Sequence, residues 1–295
     1  MNAVAVPARE KAPGGAGAGT GAGARGRGRG HRVGWRLPEP LTRTAWRGAG
    51  IGLALATLEI LPRTGLLKPT ASYPPLSNVL DRAVQLLATS DFWRVFGQTM
   101  ISVVVGVAAA FVVGVILGLA VGTWRPVYRA AITTLDFLRG IPPVALIPVI
   151  VLLMPVGLGS QTLLAAYSSQ WVVFFQVVYG RRSINPTLWD TARVMHLGRW
   201  ERFRYVIWPS LLPSLATGAR IGVSVSLALA ITAGLVMGGP SLGQQLNILR
   251  GANDIPGSYA LIFIIGLIGL ALNSIVVGVE RRVLNWHVSI RREGE

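Results

Sequence analysis

The longest charge-free run in this chain, Gly140 to Gly180, holds 41 consecutive residues without Asp, Glu, Lys or Arg. As a single helix rising 1.5 Å per residue it would be roughly 60 Å long, about twice the hydrocarbon core of a bilayer. It must therefore fold back on itself, and Pro155, Gly157 and Gly159 mark the expected turn. Val95–Trp124 (30 residues), Ile221–Leu249 (29) and Ile255–Val279 (25) are also free of charge and long enough to cross. Only 14% of the 295 residues are charged, against about a quarter in soluble domains, so the chain lacks the surface of a water-soluble protein.

These runs place five spans at 98–122, 132–154, 161–180, 214–236 and 258–279. A sixth is expected at 46–61. It is short, contains Glu59 and stops at Pro62, but its apolar residues Ile51, Leu53, Leu55, Leu58 and Ile60 surround the helix and would have nothing to cover them in water. Glu59 is expected to pair with Arg63 or to reach the interface. Basic residues near span ends mark the cytoplasmic side. With the N-terminus inside, 21 of the 28 Lys and Arg residues fall inside and five outside, while Arg139 and Arg220 sit in spans near the cytoplasmic edge. Both termini are thus expected in the cytoplasm. The net charge of +16 then reflects topology, which argues against a nucleic-acid partner.

Residues 1–45, with Gly14-Gly15-Ala16-Gly17 and Arg25-Gly26-Arg27-Gly28-Arg29-Gly30, form a basic tail too poor in apolar residues to fold, and 286–295 form a second, short tail. The G-x-G-x-x-G match at Gly21, Gly23 and Gly26 has no strand before it and is not a nucleotide fingerprint. Cysteine is absent and His31, His196 and His287 are far apart, so neither a metal site nor another cofactor site is expected. Nor does the chain carry the paired acids or Ser/His/Asp set of an enzyme. Its two lysines, Lys11 and Lys68, precede Ala12 and Pro69, so neither belongs to a phosphate-cradling P-loop.

Two spans carry a small residue at every fourth position: Ser102, Gly106, Ala110, Gly114, Gly118, Gly122, and Gly218, Gly222, Ser226, Ala230, Gly234, Gly238. Such ridges let helices in lipid pack closely. Each step of four residues advances 400°, so the ridge drifts about 40° per step. One straight neighbour cannot cover it, and both helices are expected to be central, with different neighbours at their two ends. In the third span, Pro142, Pro143 and Pro148 free carbonyls that must face protein or a water-filled cavity, so this stretch either lines a pathway or is a buried kink. Ser168, Gln170, Ser224 and Thr232 could bind a polar solute, and bonding between helices explains them equally well. Asp136 and Arg139 are spaced to pair.

The inside segment 181–213 reads Arg181-Arg182-Ser183-Ile184-Asn185-Pro186-Thr187-Leu188-Trp189-Asp190-Thr191-Ala192, then His196-Leu197-Gly198, then Ile207-Trp208-Pro209. Leu188, Thr191, Ala192 and Met195 are spaced as one face of a short helix, and Trp200, Phe203 and Ile207 as one face of a second. An apolar face at a membrane edge is expected to meet a partner.

This segment resembles the EAA loop of ATP-binding-cassette importer permeases (E-A-A, three residues, G, nine residues, I-x-L-P), with Asp190-Thr191-Ala192, His196 and Ile207-Trp208-Pro209 in the matching places. Arg139-Gly140-Ile141-Pro142-Pro143-Val144-Ala145-Leu146-Ile147-Pro148 is similar to a segment of the nitrate, sulfonate and taurine group of these permeases. The resemblance covers about 92–286. It implies an all-α, polytopic membrane protein of the type I importer permease fold. Six transmembrane helices and a cytoplasmic coupling loop would seat on a partner ATPase in the bacterial inner membrane.

It further implies a homodimer, an external solute-binding protein docking on segments such as 62–95 and 238–257, and a small polar or anionic solute such as a sulfonate, taurine or nitrate. Importers of osmoprotectants or amino acids share the loop, and a stand-alone channel or secondary transporter is the alternative of a different class. In the loop His196 stands where the family has Gly, whose role is a positive φ that is costly for His. Gly198, two residues on, offers another place for the turn.

Overall fold

The computed structural model describes residues 41–64 and 73–284, all of them helix or connecting turn. The expected basic tail up to residue 40 and the segment 285–295 lie outside the described residues. The chain divides into two units between Ile51 and Gly52, and apart from the start of the first helix everything below concerns the second.

The elements are α1 (Leu41–Arg63), α2 (Leu76–Leu87), α3 (Ser90–Thr123), α4 (Arg125–Arg139), a 3₁₀ turn (Pro143–Leu146), α5 (Ile147–Leu153), α6 (Leu158–Arg182) and α7 (Pro186–Val194). Then come α8 (Arg199–Arg202), a π-helical turn (Phe203–Ile207), α9 (Trp208–Met237), α10 (Leu242–Gly251) and α11 (Ile255–Val283). Among the described residues three helical stretches are long and apolar enough to cross a membrane: α3, the continuous run Arg199–Met237, and α11. The bent pair of α4 with the 3₁₀ turn and α5 makes a fourth if taken as one span. The expected third span, 132–154, is therefore not a single kinked helix, because its two halves meet at 81°. Two successive prolines cause this: each forces the residue before it out of helical geometry, and Pro142 is extended at φ −60°, ψ 125°. Pro148 is harmless, since it falls in the first turn of α5, where no N–H is needed.

Helix α6 is long enough to cross but too polar to stand out by composition, with Ser160, Gln161, Ser168, Ser169, Gln170 and Gln176 along it. Its polarity is met inside the protein. Ser169 Oγ donates to the Gly222 carbonyl of α9 at 2.9 Å, and Gln161 Nε2 to the Gly238 carbonyl at 3.2 Å. Leu164, Ala165, Val173, Val177 and Val178 of the same helix are fully buried. Helix α6 is thus the axis on which α3 and α9 pack, and its sequence is not that of a lipid-facing helix.

The four-residue ridge of α3 sits on α6 from Gly106 to Gly122. A Cβ at Gly106 would lie 3.0 Å from Ala165 Cβ, one at Gly114 2.9 Å from Val173 Cβ, one at Gly118 2.7 Å from Val177 Cβ, and one at Gly122 3.3 Å from Arg181 Cβ. From Gly114 onward the partners on α6 are also four residues apart, so both ridges drift together and the two helices stay in register. One neighbour therefore follows most of the ridge, which a straight neighbour could not. The earlier end of α3 also bonds to other helices: Thr99 Oγ1 accepts from Leu242 N at 3.0 Å, and Ser226 Oγ donates to the Val103 carbonyl at 3.5 Å, while Phe111, Val115 and Leu119 further along pack with Leu211 and Leu215 of α9.

Segments 62–95 and 238–257 are joined through α11, on which both α2 and α10 pack. Val79, Ala83 and Leu86 of α2 recur at helical spacing and bury against Leu242, Leu246 and Leu249 of α10 and Ala260, Leu261 and Ile264 of α11. Arg82 grips Asp254 through Nε (2.8 Å) and Nη2 (2.7 Å), while Asp254 also caps α11 by accepting from Gly257 N at 2.8 Å. The chain turns between α9 and α10 through Gly238 and Gly239 at φ 84° and 83°, a region open to glycine.

Candidate functional site

Helix α7 begins where Asn185 Oδ1 accepts from Thr187 N at 2.9 Å and Pro186 occupies the first helical position. Ala192, 1% exposed, is its anchor, packed with Ile184 and Val206 and flanked by Trp189, Leu197 and Ile207. Thr191 is exposed and donates to the Thr187 carbonyl at 2.9 Å; Asp190 is exposed and pairs only with Arg193, at 3.1 Å. The buried face thus runs through Trp189 and Ala192. Leu188 and Met195, which the spacing grouped with Ala192, face outward with Val194, which is 79% exposed.

The turn after α7 stays at His196. Its φ is +51°, Leu197 N donates to the Ala192 carbonyl (3.1 Å) and His196 N to the Arg193 carbonyl (3.0 Å). This pair of bonds is the Schellman C-cap, whose positive-φ position is normally glycine. Gly198 does not take over the turn: its φ is −65°, and its N–H instead donates to the Glu201 carboxylate at 2.7 Å at the start of α8. The same cap closes α10, with Asn253 at φ +55°. A side chain in this conformation costs roughly 1–2 kcal/mol, and the two carbonyls satisfied by the cap offset it.

From α8 the backbone runs without a break through the π turn into α9. The wide turn has a local cause. Pro209 has no N–H for the carbonyl four residues back, and its ring would clash there, so the helix opens just before it. Ile207 is half-buried between the loop cluster and the α6–α9 core, where it touches both Ala192's group and that of Val173 and Leu211. A push on α7 or α8 therefore reaches α9 through covalent helix and through a packed side chain. Trp200, 69% exposed and stacked on Phe203 at 5.7 Å, and Tyr205 are exposed aromatic residues of the same loop that carries the exposed Val194 and Met195.

The polar residues considered for a pathway do not converge. Ser168 is buried and donates to the Leu164 and Ala165 carbonyls of its own helix, both at 3.0 Å. Ser224 is exposed and donates to the Arg220 carbonyl at 3.1 Å, Thr232 donates to the Ala228 carbonyl at 2.8 Å, and Gln170 is half-buried beside Gly114. Pro142 is exposed at the bend and Pro143 half-buried. Arg139 pairs with Asp136 at 3.2 Å and lies over the Phe175 ring at 4.4 Å, and Arg220 is 3.9 Å from Glu280. Glu59 pairs with Arg63 and also accepts from Ser77 N at 2.9 Å. Among the described residues no cluster of acids or histidines could hold a metal ion.

Two sets of contacts escape a search for small-residue ridges. Gly180 admits α9, since a Cβ there would lie 2.8 Å from Ser214 Cβ, and Gly243 lies against the Ile231 carbonyl of α9. For Gly243 a signal existed: Ser241 and Gln244 have the S-x-x-Q pattern of a helix start, and Ser241 Oγ accepts from Gln244 N at 3.3 Å. Such a start places the next helix directly after α9.

A helical bundle crossing the membrane, with a capped loop helix continuous with a central span and apolar residues displayed beside it, defines the membrane subunit of a transporter driven from outside the chain. Residues 110–285 match the family described as binding-protein-dependent transport system inner membrane component, and the chain belongs to that family. It is similar to the riboflavin transport system permease RibX of Chloroflexus aurantiacus (29% identical, 84% of this chain, 94% of that one). It is also similar to the taurine transport system permease TauC of Escherichia coli K12 (24%, 88% and 96%). A bacterial alginate transporter, crystallised with its alginate pentasaccharide-bound periplasmic protein, shares the fold at TM-score 0.56 and 16% identity, over 84% of this chain and 98% of that one. The chain is accordingly a multi-pass inner-membrane permease, the translocation subunit of an ABC importer. ATP hydrolysis belongs to a partner subunit, and a solute-binding protein completes the system.

Proposed function

We propose that this permease carries a small polar or anionic solute of the sulfonate, taurine or nitrate kind, as two copies of the chain around one route. Six spans, with α1 and α6 counted among them, and both termini in the cytoplasm agree with the 21-to-5 distribution of basic residues. The observation that carries the solute class is the likeness to TauC along 88% of the chain. The similar likeness to RibX favours one second reading, riboflavin.

The coupling surface is α7 with the loop behind it. Ala192, Ile207 and Pro209 hold it against α9, His196 makes the turn, Gly198 opens α8, and Asp190 and Thr191 face the ATPase. The ridges at Gly114, Gly118 and Gly122 and at Gly218 and Gly222 set helix spacing, and Pro142, Pro143, Ser168, Gln170, Ser224 and Thr232 are the candidates for lining the route. Uptake into proteoliposomes holding the permease, its ATPase and its binding protein tests the assignment. ATP-dependent uptake of taurine, an alkyl sulfonate or nitrate is the expected result. Uptake of riboflavin alone would move the assignment to the second reading.

A further inference from the structure

A cavity of about 410 Å³ opens where the ends of α3 and α6 meet the starts of α4 and α7. Arg125, Arg181, Arg182 and Arg193 line it, with a single carboxylate, Asp190, that is already paired to Arg193 at 3.1 Å. Arg125, Arg181 and Arg182 have no ion pair among the described residues. Arg181 lies over the Trp189 ring at 4.5 Å and Arg182 over the Tyr128 ring at 3.7 Å. A guanidinium held by its face on a ring keeps its N–H donors in the plane, free for an oxyanion. Arg181 Nε is buried without a hydrogen-bond partner, behind the cavity rather than facing it, so the donors that this guanidinium offers the cavity are its outer nitrogens.

We infer that this cavity binds a phosphate group, as the headgroup of an anionic phospholipid or as free phosphate. Four arginines against one already paired carboxylate, with two guanidinium planes fixed on rings, together call for a multivalent oxyanion, which accepts from several donors at once. The place fits a headgroup: the charge-free runs of α3 and α6 end here, and basic pockets between spans at a membrane surface hold such lipids. Trp189, Asp190 and Arg193 belong to α7, so an occupant bridges the coupling helix to the ends of α3 and α6. The inference does not depend on which solute is carried.

The full chain is tested in nanodiscs of phosphatidylcholine with and without phosphatidylglycerol, counting retained lipid by native mass spectrometry. In parallel, thermal unfolding in detergent is followed with inorganic phosphate. If the headgroup is the occupant, phosphatidylglycerol is retained and its affinity falls about tenfold in the double variant Arg125→Gln/Arg181→Gln. If free phosphate is the occupant, inorganic phosphate raises the unfolding midpoint in the wild type and not in the variant. Arg125→Gln alone, at an exposed and unpaired residue, keeps the test open should the double variant not fold, and weakens binding several-fold. Arg250→Gln, outside the cavity, leaves binding unchanged. Equal retention of phosphatidylglycerol and equal response to phosphate in wild type and Arg125→Gln overturn the inference.

Discussion

The seam between α3 and α6 and the seam between α9 and α6 are built from the same kind of ridge, but they are packed to different depths. On α3 a Cβ at Gly114 or Gly118 would fall within 3.0 Å of α6, whereas on α9 a Cβ at Gly218 or Gly222 would find ordinary contacts at 3.4 Å and 3.9 Å. Helix α3 is therefore locked to α6 along its ridge, whereas α9 is pressed close to α6 at its start, where Gly180 meets Ser214, and has more room at Gly218 and Gly222. The difference suits their connections. Helix α9 is the one continuous with α8, and its looser stretch at Gly218 and Gly222 lies beyond the tight contact at Ser214.

The sharpest way to break this comparison is to fill both seams. Gly118→Leu should prevent α3 from docking on α6 and leave little folded permease in detergent extracts. Gly118→Ala should cost about 1–3 kcal/mol, the usual penalty for overpacking, read as a lower unfolding midpoint. Gly222→Ala should shift the midpoint little, within about 0.5 kcal/mol, and equal losses at the two positions would erase the distinction. Between these lies Ser169→Ala, which removes the bond to the Gly222 carbonyl and should cost about 0.6 kcal/mol, typical of interhelical hydrogen bonds in membranes. His196→Gly should stabilise the loop by up to about 1 kcal/mol, seen as slower hydrogen exchange at Leu197, because it relieves the positive φ. Arg193→Ala removes an exposed ion pair and should change stability by less than about 0.5 kcal/mol.

Much of this architecture was legible because the membrane forces long apolar helices: α3, α9 and α11 follow directly from the charge-free runs. The turn near Pro155 and Gly157 was legible too, from length alone, and α6 resumes at Leu158. The depth of the two seams was not, since a glycine every four residues reads the same whether its neighbour comes to 2.7 Å or 3.9 Å. Helix α2 was hidden in the segment 62–95, expected as part of an outer docking face and given no helix, although Val79, Ala83 and Leu86 carry its spacing. The place of the loop turn was left open between His196 and Gly198, and the structure puts it at His196 for a physical reason. Glycine preference pointed to Gly198, but the Ala192 and Arg193 carbonyls need their donors at His196 and Leu197, and satisfying them outweighs the strain. Among the coupling residues, Ala192 could be found from the motif, while its partners Ile184 and Val206 are set by the fold.

The central claim is that α7 and the loop behind it are where an ATPase drives α9. Val194 and Met195 are exposed there and support no core, so Val194→Asp/Met195→Asp should leave the permease folded and inserted. The most direct measurement is recovery of the ATPase with tagged permease, read together with ATP-dependent uptake in the same proteoliposomes. The account predicts that the double variant loses both the ATPase and uptake while keeping its unfolding midpoint. Full ATPase recovery and full uptake in that variant, or uptake by the wild-type permease with no ATPase present, would contradict it.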